Sequence, residues 1–326
     1  MTAEAAARPA AAHRRWIVGL SLAAAAIAVA VYFARSPQPS APGEFAFGAV
    51  MHCRTVPAFA KALGYTESSV LDTLGNTKGL VLYDPPASAG AQPARVYRHP
   101  TWDMAGYLGP LTSDRSGNVY VAPAPRVSLY DNSPAKQNTL YKVDADTGAM
   151  AEFITLPAAA PPSPENPYGV LGLTYDCDTH SLYAASVAGS TRAQVLGRIY
   201  QVGLRTGTVG ARFDRTDAFG LAVFNGASGK RLYFGSARSS EVRSVALASD
   251  GRFTGKARLA VSLVGWGASG DDKARRIIFD RNNVMVVRGM EFEFNLIATS
   301  ERKQTDYRLS YDPGTDGWKP LAAYGK

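Results

Sequence analysis

Four carboxylates, Asp103, Asp217, Asp271 and Asp272, lie in loop segments beside apolar runs, where an aspartate can hold a divalent cation or move a proton. Solvated loop charges use the same residue type, so position alone does not assign them a role. Beyond the apolar N-terminal stretch, three histidines, His52, His99 and His180, are scattered over separate segments. No G-x-S-x-G, H-E-x-x-H or phosphate-binding glycine loop occurs. Ser133 and Lys136 match S-x-x-K, but Pro134 between them places the pair in a loop, where the lysine is not one helical turn from the serine. The run Asp144-Ala145-Asp146-Thr147-Gly148 imitates the start of a calcium loop, yet Thr155 stands where the bidentate glutamate belongs. A hairpin turn accounts for it better.

What must position these residues is a repeat. Five segments run from an apolar strand into a turn ending in glycine: Leu80–Gly90, Leu140–Gly148, Ile199–Gly207, Val242–Gly251 and Tyr307–Gly317. Their starts recur every 40 to 65 residues or so, too long for a solenoid coil. The last four are each preceded by a strand, a polar turn with Asp or Asn and a second strand, beginning at Leu111, Leu173, Leu221 and Ile277. A further short strand follows each glycine turn. The chain is therefore expected to be all-β, a β-propeller of four-stranded antiparallel blades with five visible repeats and five or six blades in all. Glu44 to Asn76, with FAFGAV, a helical VPAFAKALGY and SSVLDTL, would supply strands for the first blade or a degenerate sixth.

The blade wording, Φ-x-x-D-x-x-G-N-Φ-Y-Φ followed by Φ-Y-x-Φ-D-x-x-T-G, resembles the superfamily of NHL-repeat, gluconolactonase/regucalcin-like, strictosidine-synthase-like and yellow-type propellers over most of Leu80 to Tyr324. That resemblance implies a rigid ring, usually six-bladed, with a ligand or metal site at one mouth of the central channel. In the lactonases of the superfamily the metal is held by acidic and amide side chains at the entrance of the innermost strands. The matching positions here are Gly109, Leu171, Phe219 and Arg275, none of which supplies the oxygen that a hard cation needs.

In such a ring the connections into the first strand, and those between second and third strands, share one face. The long ones here are Ala122–Asn138, Pro157–Gly169, Ser186–Gly197, Leu263–Arg275 and Arg288–Asp306. Long loops on one rim of a rigid scaffold are the usual place for binding. The candidate ligand-contacting residues are Trp102, Asp103, Tyr168, Asp217, Phe219, Asp271, Arg275 and Arg288, with Arg126 and Tyr130 as further loop residues. Two function classes follow. One is a non-catalytic propeller that binds a partner protein or a small ligand on this face, with no cofactor. The other is a hydrolase of lactonase type with a displaced site for a divalent metal such as calcium.

The N-terminus speaks to compartment. Residues 1–15 carry Arg8, Arg14 and Arg15, residues 16–34 hold no charge, 35–43 form a Pro/Ser-rich spacer, and 44–326 are the propeller. The apolar stretch is long enough to span a bilayer, and the arginines keep the N-terminus cytoplasmic. The expected arrangement is a single-pass inner-membrane signal anchor with a periplasmic domain. Cleavage after Ala28-Val29-Ala30, or a twin-arginine route, remains an alternative. Cys53 and Cys177 then stand in an oxidising space, as a disulfide or as two buried thiols.

The chain of 326 residues is 46% apolar and 19% charged, ample for a core without metal or a disulfide scaffold. Its net charge of +8 is spread thinly, with no basic run interleaved with aromatics. Nucleic acid is not an expected partner.

Overall fold

The computed structural model describes residues 37–323 apart from 74–76, 87, 89–92, 94, 126–130, 162, 164, 268–269 and 295–302. Arg126, Tyr130 and the whole 1–34 region lie outside the described residues. Among those described, no helix is long and apolar enough to cross a membrane.

The unit from Pro39 onward is a propeller of five antiparallel sheets. Blade one has three strands, β2 (Val70–Asp72), β3 (Val81–Tyr83) and β4 (Val96–Tyr97). Blade two is β5 (Leu108–Ser113), β6 (Val119–Pro123), β7 (Thr139–Val143) and β8 (Met150–Thr155). Blade three is β9 (Val170–Asp176), β10 (Ser181–Ser186), β11 (Arg198–Gly203) and β12 (Thr208–Asp214). Blade four is β13 (Ala218–Gly226), β14 (Gly229–Ser236), β15 (Glu241–Leu247) and β16 (Phe253–Ser262). Blade five is β17 (Lys273–Phe279), β18 (Met285–Met290), β19 (Gln304–Asp312) and β20 (Gly317–Pro320). The first strands β5, β9, β13 and β17 touch in succession, so they line the centre.

Strand composition follows position in the blade. Second strands are pressed between neighbouring blades on both faces, and SLYAAS of β10 and GKRLYFGS of β14 are buried at every residue. The outermost β12 alternates between exposed and half-buried residues and carries Arg212 and Asp214, charges that protect a free sheet edge. Tyrosines serve as inter-blade wedges: Tyr120, Tyr183 and Tyr307 are fully buried and send their hydroxyls to Asp114, the Gly251 carbonyl and Asp272. The calcium-like run is the turn between β7 and β8. There Asp144 accepts from the backbone of Asp146 and Thr147, and Gly148 takes φ +73°.

Apolar clusters join blade one to two, two to three, three to four and four to five. Among the described residues none joins blade five to blade one. The face that blade five turns that way carries Arg276, Arg288 and Arg308, set by the cross-strand register Arg276–Arg288–Asp306 and Ile278–Val286–Arg308.

The segment before blade one does something the repeat pattern does not suggest. Its strand β1 (Gly48–Ala49) pairs with β13, Gly48 opposite Asn225 and Ala49 opposite Phe224, and so extends blade four instead of completing blade one. SSVLDTL does join blade one, as β2. From Ser40, whose hydroxyl accepts from Lys230 N, the segment crosses the face opposite the long loops. Ala49 donates to Asn283 of blade five, Cys53 is bonded to Cys177 of blade three, and Thr55 donates to Arg115 O of blade two. Helix α1 (Ala58–Ala62) then packs Phe59 beneath the β7–β8 turn. This strap touches four blades in under twenty residues or so, well within the reach of an extended chain.

Two loop assignments change. Arg275 and Arg288 lie within β17 and β18, because pairing continues past a bulge at Arg275 and past Arg288 to Met290. The loops on that rim are correspondingly shorter.

Candidate functional site

On the long-loop face a cavity of about 340 Å³ opens between blades two and three. Its walls come from three of the long connections: Pro134, Ala135, Gln137 and Asn138 before β7, Pro157, Ala158 and Tyr168 before β9, and Ala188 after β10. Thr155 and Leu156 complete it. The size and apolar character suit a small molecule.

Amide side chains build this rim. Asn166 donates to the carbonyls of Val187 and Ser190, fastening the second loop to the third, and its oxygen accepts from Tyr168 N. Asn138 donates to Leu156 O and accepts from Ser186 Oγ. The Gln137 backbone carbonyl accepts from Val170 N, an approach that depends on Gly169, where a Cβ would stand 2.1 Å from that oxygen. The Gln137 side chain donates to Asn132 O, but its Oε1 is buried with no hydrogen-bond partner. A buried acceptor left unpaired costs about 1–3 kcal/mol unless something donates to it. Among the described residues the walls carry no carboxylate, imidazole, thiol or ammonium. The site can therefore hold an apolar body.

Tyr168 connects the cavity to an aromatic cluster over the mouth of the ring. Its ring meets Phe292 at 5.2 Å, Phe292 meets Phe219 at 4.4 Å, and Phe294 lies beside both Phe292 and the Arg238 guanidinium. Asp217 is buried beneath, accepting from Ser190 Oγ, Gly197 N and Arg238 Nε, while Arg238 also donates to the Thr191 and Gln194 carbonyls. Tyr168, Asp217 and Phe219 are thus brought to one region.

The other candidates lie apart. Trp102 is fully buried between blades one and two, its Nε1 donating to Gly148 O. Asp103 is exposed and paired with Arg98. The bond from Lys273 holds Asp271 below the usual carboxylate range against the opposing effect of burial, with a lesser contribution from Ser240. Asp272 accepts from Tyr307, and Arg288 grips Asp306 through two bonds of 2.7 and 2.8 Å. Arg275 is exposed on β17. The four aspartates do not converge, and among the described residues no three His, Cys, Asp or Glu side chains gather as metal ligands. These residues do not fit a displaced divalent-metal site.

Gln137, Asn138 and Asn166 were not singled out by sequence. Their signal is an amide side chain within a Pro/Ala-rich loop, where a polar group has a loop to pin.

No protein-family model matches the chain. No curated protein matches either. Solved structures do. A calcium-binding protein, regucalcin, from Agrobacterium tumefaciens is 16% identical, with 88% of this chain and 80% of that one covered, at a TM-score of 0.48. A luciferin-regenerating enzyme is 10% identical over 80% of this chain and 76% of its own, at 0.47. A glucose dehydrogenase is 14% identical over 78% and 81%, at 0.43. Likeness of this degree concerns the course of the chain and brings no activity with it.

Proposed function

We propose that this chain is a ligand-binding propeller whose site is the cavity between blades two and three, taking a small neutral molecule with an apolar body. The observation that carries this reading is the apolar cavity of about 340 Å³ walled by three connections of the long-loop face. Bound there, such a body would replace water poorly suited to apolar walls. A collection of neutral alcohols and amides, screened by melting temperature, should yield stabilisers of the wild type that lose their effect on Ala188→Phe, which fills the cavity. Stabilisers that act equally on both proteins would place the site elsewhere.

A second reading, a hydrolase of lactonase type, draws on the resemblance of the blade sequence to that superfamily. It expects calcium, manganese or zinc to raise the melting temperature by several degrees, whereas the ligand-binding reading expects no metal-specific rise.

We further propose that residues 16–34 tether the propeller to the inner membrane with the ring in the periplasm, a reading supported by the uncharged stretch after Arg14-Arg15. A reporter active only in the periplasm, fused after Lys326, should be active. Activity of a cytoplasm-only reporter there would reverse the assignment.

A further inference from the structure

Arg54 follows the strap cysteine, Cys53. Its Nε is buried, and no side-chain or backbone acceptor meets it among the described residues. Burial, and after it the charge of Arg276, lower the Arg54 pKa to about 10. No carboxylate offsets either effect. Arg276 stands on β17, the innermost strand of blade five, on the face turned away from blade four and its apolar cluster. No hydrogen bond or ion pair engages it within the described residues. The nearest carboxylate that feels it, Asp306, is already held through both oxygens by Arg288.

The Arg54 guanidinium, half-buried with an unmet donor and within the field of the exposed Arg276, is a costly arrangement in a folded protein. By contrast, Arg95, Arg98, Arg198, Arg212, Arg258 and Arg308 each pair with a carboxylate. Guanidiniums present several N–H donors in a plane, the geometry that carboxylate and phosphate oxygens match. A ligand oxyanion bridging the two would neutralise their repulsion and give Nε an acceptor. We propose that Arg54 and Arg276 form an anion site on the strap side of the ring centre, separate from the cavity between blades two and three, and that its ligand is a small oxyanion, a phosphate or a dicarboxylate.

The site also links binding to the strap. Arg54 is carried by the segment that Cys53 fastens to Cys177, so an anion held by both arginines ties that segment to blade five as well as to blade three.

The test uses the full chain, with its disulfide intact, melted in sodium phosphate, in sodium malonate and in sodium chloride at matched ionic strength. Wild type is expected to show a saturable rise in melting temperature with phosphate or malonate over chloride, and which of the two acts identifies the source of the oxyanion. Arg276→Gln should weaken the apparent affinity at least tenfold, and in chloride it should melt no lower than wild type because a repulsion has been removed. Arg54→Lys, which keeps the charge but loses the planar donors, should also weaken binding. A rise that does not saturate, or one equal in wild type and Arg276→Gln, would be the general stabilisation that such salts give any protein, and would overturn the proposal. So would an Arg276→Gln protein markedly less stable than wild type in chloride.

Discussion

Replacing both Cys53 and Cys177 by alanine should lower stability by on the order of 4–5 kcal/mol, the chain-entropy value for opening a loop of this length. The bridge spans a sequence separation of 124 and joins the strap to the turn between β9 and β10, with Cα atoms 5.6 Å apart. Reduction alone should have a similar effect. For a domain of this size each kcal/mol moves the midpoint by roughly 2 °C, so the variant should melt about 8–10 °C below the oxidised protein. The strap keeps other attachments, among them Val50 in the core between blades three and four and Phe59 beneath blade two. The fold should therefore survive while the strap loosens. Limited proteolysis should cut the variant between Ala41 and Val56 well before it cuts the blades. An unchanged midpoint would mean that the strap's other contacts are sufficient.

Lys230→Met should cost about 3–5 kcal/mol, the usual result of removing one partner of a buried ion pair. Lys230 and Asp176 are both fully buried, 2.9 Å apart, and Asp178 adds a second contact of 2.7 Å. Phe45 of the strap lies over the ammonium at 4.4 Å, which keeps water away. Burial pushes the Asp178 carboxyl up, but the bonds from Lys230 and Asn225 outweigh it and hold the group below its ordinary value. A depressed carboxyl contributes stability above its unfolded pKa of about 3.9, and that contribution is lost as pH falls through the lower folded value. In the variant the carboxylates have lost their cation, so ionising them now opposes folding. The gap between wild type and Lys230→Met should be widest near neutrality and should shrink below about pH 4. Urea unfolding at both pH values would measure it, and a gap independent of pH would contradict this role.

The blades were legible in the sequence because their signals are local and repeated. Asp-Thr-Gly at the β7–β8 turn and Asn-Val-Tyr-Val entering β6 each declare a turn and a strand within a few residues, and the same grammar recurs four times. What was not legible depends on partners distant in sequence. FAFGAV reads as one more short strand, and nothing local tells that Gly48 and Ala49 pair with Asn225 and Phe224. Trp102 in a loop reads equally as a binding residue or a wedge between blades, and its Nε1 bond to the Gly148 carbonyl is a contact between segments about fifty residues apart. Arg275 and Arg288 were read as loop residues because their charge obscures the strand pattern. Arg54 gives no local signal and Gln137 only that of an amide in a Pro/Ala-rich loop: what sets both apart is a missing partner, which only the folded chain shows.

Occupancy of the cavity between blades two and three decides whether this propeller binds a ligand there. Native mass spectrometry of the full chain, purified gently from its own source, measures that occupancy directly, beside Ala188→Phe prepared in the same way. Wild type is expected to carry a small neutral molecule that collisional activation releases, and Ala188→Phe is expected to carry none. A small molecule retained equally by both proteins, or none on wild type, would contradict the assignment.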